Sequence, residues 1–159
     1  MTIAMRLLCF LLLLTMAAPV RGQSILENQP TVFPGPYEGR VLRVIDGDTI
    51  EILVFLWPGL SGIYDVRVKG VDVPESRTSC EHEKELGLAA TEYVSRRYGP
   101  GQKVELRDVE FGSFARRVLA DIRREYPDRM LSLRTELLRD GKGVAWEPGE
   151  PARNWCAAD

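Results

Sequence analysis

The sequence predicts an α+β domain, mainly β: a five-stranded OB-fold Greek-key barrel with two or so packed helices. Three observations carry this. Short apolar runs rich in β-branched residues alternate with polar positions at period two in five places after residue 40. One helical stripe lies between the third and fourth runs, and another follows the fifth. Turn residues, Asp-Gly, Pro-Gly and Gly-Pro-Gly, separate these segments. A sandwich satisfies the same pattern.

The chain begins MTIAMRLLCFLLLLTMAAPVRGQS, with Arg6 ahead of an apolar run that ends in small residues. Residues 1–22 are therefore expected to be a signal peptide, cut after Gly22. The run falls short of the roughly 20 apolar residues that a membrane span needs, so no stable span is expected after cleavage. An uncleaved anchor is the alternative. Export to a periplasmic or secreted location follows. Cys9 lies inside the apolar run and is not a lipid attachment site.

Residues 23–39 carry three prolines and no periodicity, and are expected to be a linker or extended arm. The domain proper is 40–159. Its first strand places Leu42 and Val44 on one face. After the Asp46-Gly47-Asp48 turn, Ile50, Ile52 and Val54 alternate with Thr49, Glu51 and Leu53. The Phe55–Gly62 stretch makes a Pro-Gly turn whose apolar residues, Phe55, Leu56, Trp57 and Leu60, are expected to cap the core, a membrane-touching or ligand-touching loop being the alternative. Tyr64, Val66 and Val68 form one face of a third strand, so Arg67 points to the other.

Past Glu75 the period becomes helical. Thr78 and Glu81 offer a capping box, and Leu86, Ala89, Ala90, Tyr93, Val94 and Arg97 form a stripe that Gly99-Pro100-Gly101 ends. A strand with Val104 and Leu106, a turn at Phe111-Gly112-Ser113-Phe114, and a strand with Val118, Ala120 and Ile122 follow. A second helix is expected over about 131–140, with Gly141 as its C′ residue.

The net charge is −2, and loss of the signal removes only arginines, so the mature chain is more acidic. That excludes a generic basic nucleic-acid coat. In an exported protein the remaining pair, Cys80 and Cys156, is expected to form a disulfide, two free thiols being the alternative. His82 is the sole histidine, which leaves no Ser/His/Asp or Cys/His hydrolase to assemble.

Two acidic turns, Asp46-Gly47-Asp48-Thr49 and Asp72-Val73-Pro74-Glu75, flank Arg67. Either turn alone is ordinary turn chemistry. Together, two carboxylates and a main-chain carbonyl suit Ca²⁺, and Glu75 could deprotonate a nearby water. Arg67 and Arg117 would stabilise the charge that grows on a phosphodiester in its five-coordinate state.

With Val44-Ile45-Asp46-Gly47-Asp48-Thr49 followed by Val66-Arg67-Val68-Lys69-Gly70-Val71-Asp72-Val73-Pro74-Glu75, the chain resembles the thermonuclease (staphylococcal-nuclease-like) family. The resemblance runs from Arg40 to about Ala145. It implies an OB-fold domain that hydrolyses phosphodiester bonds of DNA and/or RNA with Ca²⁺, leaving 3′-phosphates. Carried over by motif, Asp48, Asp72 and the Val73 carbonyl would bind the metal, Glu75 would activate water, and Arg67 and Arg117 would grip phosphate, with Arg116 the fallback for Arg117. Asp46 and Thr49 would support the ligands. The family's lysine and tyrosine for the terminal phosphate have no clear counterpart, Trp146 matches a base-stacking tyrosine loosely, and the third helix is missing. A monomer is expected. The alternative is a non-catalytic OB module that binds nucleic acid or an exported partner.

Overall fold

Ile50, Ile52 and Val54 alternate as the pattern predicts, and all three are buried. Each such side chain stabilises the fold by about 1.5–3 kcal/mol relative to exposure. The computed structural model that shows this describes residues 30–113 and 116–157. The expected signal peptide, most of the arm before residue 30, and Phe114 of the expected turn lie outside the described residues.

The strands are β1 (Val32–Phe33), β2 (Tyr37–Asp46), β3 (Thr49–Trp57), β4 (Leu60–Val68) and β5 (Val71–Asp72). Helix α1 (Glu81–Arg97) precedes β6 (Lys103–Phe111), β7 (Arg117–Glu125) and β8 (Met130–Ser132). Helix α2 (Leu133–Arg139) and β9 (Val144–Ala145) complete the set. Strands β2, β3, β4, β7 and β6 close on one another, with β4 and β7 parallel and the other four contacts antiparallel. The fold is an α+β, mainly β, OB-like barrel, and the expected class holds. Its core joins Val41, Ile50, Val66, Val68, Leu106, Ala120 and Ile122 of the barrel to Ala90, Val94, Leu133 and Leu137 of the helices.

Several local expectations are corrected. Part of the arm is strand: Val32–Phe33 and Tyr37–Gly39 both pair with β6. The inward residue of β2 is Val41, 1% exposed, whereas Leu42 and Val44 are half-buried. A register shift between Val41 and Arg43 resets the alternation there.

The apolar residues after Val54 do not cap the core. Phe55 is 45% exposed, Trp57 76% and Leu60 57%. The reason lies in the ladder. β2 stops pairing with β3 at Gly39↔Val54, and β7 pairs with β4 only from Asp65, so the β3–β4 tip is a two-stranded ribbon without neighbours.

The capping box is absent. Helix α1 starts after Cys80, and the Thr78 hydroxyl accepts from the Cys80 N–H at 3.3 Å. Its buried stripe is Gly87, Ala90, Tyr93 and Val94, with Leu86 37% exposed. Helix α2 starts at Leu133 because Met130–Ser132 pair with β7 as β8, and Gly141 follows it at φ 62°, the left-handed residue expected there. The Cys80–Cys156 disulfide is formed and closes a loop of 76 residues. A loop of that length contributes about 4 kcal/mol in the chain-entropy account. Among the described residues, no helix is long and apolar enough to cross a membrane.

Candidate active site

The turn between β2 and β3 has Asp46 facing Thr49, with Gly47 and Asp48 between them. Gly47 is required by packing. A Cβ there would lie 2.7 Å from Val73 Cγ1 and 2.9 Å from Ala90 Cβ. The first acidic turn thus presses directly on the second and on α1. Asp46 serves that contact: its Oδ1 accepts from the Gly47 N–H at 2.9 Å and lies 3.0 Å from the Thr91 hydroxyl of α1.

Asp48 is 6% exposed, and both of its carboxylate oxygens are engaged. The Thr49 hydroxyl donates to Oδ1 at 2.7 Å, and Arg67 Nη2 lies 2.8 Å from Oδ2. Arg67 stands opposite Thr49 in the β3–β4 ladder, so strand register delivers the guanidinium to the turn. The Val68 N–H also donates to the Asp48 carbonyl at 2.9 Å.

The second turn follows β5. Val73 is 4% exposed, and Glu75 stands at the rim with its N–H donating to Glu83 Oε1 at 3.3 Å. Its position is set by Gly87. A Cβ on Gly87 would come within 2.5 Å of the Glu75 carbonyl carbon and the Ser76 nitrogen. Only a helix with no side chain at that point lets the Glu75 backbone lie flush against it.

Asp46, Gly47, Asp48, Val73, Pro74 and Glu75 line one small hollow. Burial pushes the Asp48 carboxyl above its ordinary value, against the pull of Arg67, the Thr49 hydrogen bond and Arg117. Partial loss of water raises Glu75 as well, helped by the charges of Asp46 and Asp48 and opposed by Arg67. Arg117 opens β7 beside Asp65, half-buried, and its charge is felt at Asp48. Arg116 is exposed at φ 64° and enters the region through its carbonyl, which accepts from the Asp65 N–H at 3.0 Å.

Asp72 lies elsewhere in detail. It pairs with Val144 of β9, and its Oδ2 accepts from the Arg153 N–H at 3.0 Å and from Trp155 Nε1 at 3.1 Å. The structure therefore brings Asp46, Asp48, Val73 and Glu75 around one hollow with Arg67 and Arg117 close to Asp48. It turns one oxygen of Asp72 toward the C-terminal segment.

The donors are oxygens, the kind a hard cation takes, although Asp46, Asp48, Asp72 and Glu75 do not gather three ligand atoms within 4.8 Å of one another. The hollow is lined by the carboxylates of Asp46, Asp48 and Glu75 and by backbone, with no sulfur or imidazole. Asp72 keeps a second oxygen and further lone pairs beyond the two donors on Oδ2. Among the described residues, the trio of Cys/His/Asp/Glu ligand atoms mutually within 4.8 Å is Cys80, Glu83 and Cys156, where the disulfide consumes both sulfurs.

Beside Arg67 opens a groove of about 550 Å³, whose wall includes Lys69, Glu110, Asp121, Arg123, Arg134 and Trp146. Its cations are engaged. Lys69 pairs with Glu110, Arg123 Nε lies 2.6 Å from Asp121 Oδ2, and Arg134 Nε donates to the Gly70 carbonyl at 2.8 Å.

Sequence reasoning missed Gly87, Glu83 and Trp155. A glycine inside a helical stripe was the available signal for the first, since it lowers helix propensity by about 1 kcal/mol without a packing reason. Trp155 reaches Asp72 across 83 residues, which leaves no local signal, and Glu83 meets Glu75 only through the way the turn folds back on the start of α1.

No family model matches the chain. Over 90 residues, 52% of its length, it is 33% identical to "Endonuclease YhcR" of Bacillus subtilis (strain 168). The chain spans only 7% of that relative. Over about half its length, then, this chain is a distant homologue of a bacterial endonuclease.

Proposed function

We propose that the chain is an exported, Ca²⁺-dependent nuclease of the thermonuclease type, hydrolysing phosphodiester bonds of DNA and/or RNA to leave 3′-phosphates. The observation that carries this reading is the meeting of Asp48, Val73 and Glu75 at one hollow with Arg67 and Arg117 close to Asp48. The relative's printed name, an endonuclease, agrees with it. The apolar N-terminal run and the disulfide support export.

In this reading Asp48, Asp72 and the Val73 carbonyl would hold Ca²⁺. The ion supplies Lewis-acid polarisation of a phosphate oxygen. Glu75 would take a proton from the attacking water as the new P–O bond forms, and the P–O5′ bond would break with the 5′-oxygen taking a proton from solvent to leave as the hydroxyl. Arg67, with donors beyond the one on Asp48, and Arg117 meet the extra negative charge on the phosphoryl oxygens. The groove beside Arg67 takes the neighbouring nucleoside against Trp146. Its paired charges offer little to a terminal phosphate, which favours cleavage within a strand.

Purified protein is expected to cut plain DNA or RNA with Ca²⁺ and to stop when the ion is chelated. Activity that survives chelation, or none at millimolar Ca²⁺, would sink the proposal.

A further inference from the structure

The segment after β9 has almost no regular structure, yet it is held at one place. Cys156 is bonded to Cys80, the residue just before α1. Cys156 N–H donates to Asn154 Oδ1 at 3.1 Å, and the Arg153 guanidinium lies 4.8 Å from the centre of the Trp155 ring. Between these anchors, the Arg153 N–H and the Trp155 indole N–H converge on one oxygen of Asp72. Residues 151–154 are exposed, so this convergence owes little to burial.

We infer that the C-terminal segment is a strap that positions Asp72 for a cation, with Trp155 as the positioning residue and the disulfide as the fastening. The inference rests on the reading of Asp72 as a metal ligand. A carboxylate with one oxygen fixed by two N–H donors loses its rotational freedom, and its second oxygen is held in one direction. Charge-assisted bonds of this kind are the stronger class of hydrogen bond. Partners that orient a ligand in this way are commonly worth 10–100-fold in metal affinity. An indole N–H can donate but not accept, so its contact with Asp72 fixes the direction of one carboxylate oxygen.

The strap also makes the site depend on oxidation. The Cys80–Cys156 bond joins the segment to the start of α1, just beyond Glu75. Once it is reduced, few backbone hydrogen bonds remain to keep residues 150–157 in place.

The test is Ca²⁺ binding by calorimetry, with Tb³⁺ luminescence as a second probe and the thermal midpoint of cation-free protein as the folding control. Trp155→Phe keeps the ring and removes the donor. It is expected to weaken binding about tenfold at an unchanged midpoint. Wild-type protein treated with reductant should weaken further and recover on reoxidation, which keeps the test open if the variant folds poorly. Asp48→Asn separates the two levels. If the wild type binds no ion, or binds it regardless of Asp48→Asn, the metal-centre reading fails and takes the strap with it. If binding depends on Asp48 but is unchanged, or tighter, in Trp155→Phe and in reduced protein, the strap alone is overturned.

Discussion

Two buried carboxylates, Asp48 at 6% exposure and Glu136 at 1%, occupy opposite kinds of surroundings. Glu136 on α2 is met by the hydroxyls of Tyr98, at 2.6 Å, and Tyr126, with Arg97 Nε 3.7 Å away. Its partners come from the end of α1, the residue after it and the segment after β7, and they tie the helices to the barrel. Asp48 also has two donors, but it shares its surroundings with Asp46 and Glu75 and opens onto a hollow. A buried charge with satisfied lone pairs is a structural joint. Asp48 is paired with Arg67, and what sets it apart is the company of other carboxylates at an open rim, an arrangement common at functional sites.

The comparison is broken most sharply at Glu75. Glu75→Gln should lower turnover on DNA by about 10²–10⁴-fold, as loss of a general base does, while the thermal midpoint stays put or rises as like-charge repulsion is relieved. Equal rates in variant and wild type, measured at saturating Ca²⁺, would remove Glu75 from the chemistry.

Gly87→Ala tests how far the site depends on α1. Helix propensity alone predicts a gain of about 1 kcal/mol. The Cβ would instead meet the Glu75 and Ser76 backbone at 2.5 Å, so a net loss of about 1–3 kcal/mol and a drop in turnover of roughly tenfold are expected. Chemical denaturation and steady-state kinetics on the same sample measure both. Gain of stability with full activity would show that the turn is not seated on the helix.

The smallest effect belongs to the Glu136 joint and concerns pH. Burial, the bond to Glu136 and the Glu136 charge push the Tyr98 hydroxyl well up, and Tyr93 rises to about 12 through burial and its bond to Asp140. A folded-state pKa above the unfolded value stabilises the neutral phenol. Each contribution is complete below about pH 10, the unfolded tyrosine value, and falls above it; that of Tyr93 is lost as pH climbs through about 12, and that of Tyr98, which is pushed up further, goes on falling beyond that point. The thermal midpoint should therefore fall more steeply above pH 10 than in Tyr98→Phe. That variant should be less stable by about 1 kcal/mol at pH 7 and keep its turnover per folded molecule. A parallel fall in both proteins would move the alkaline limit to other groups.

Much of this was legible before any coordinates. Ile50, Ile52, Val54, Val66, Val68, Ala120 and Ile122 alternate in the sequence and point inward in the fold. A central strand with neighbours on both sides has one face to bury, and period-two patterning reports that directly. The same rule failed at Phe55, Trp57 and Leu60, where the ribbon outruns its partners. It failed at Leu42, where a register shift brought Val41 to the core instead.

At the site, residue chemistry along the chain marked the two acidic turns, Arg67 and the Cys80–Cys156 pair, because acids at turns, an arginine facing away from an apolar strand face and an even cysteine pair each leave a local mark, and the family resemblance picked Asp48, Asp72, Glu75 and Arg117 from among their neighbours. Tertiary structure decided how those parts relate. It set Gly87 under Glu75, locked Arg67 onto Asp48, and drew Asp72 to Trp155, 83 residues away. Such contacts depend on which segments the closed barrel and the disulfide bring within a few ångströms, and local spacing holds no record of that.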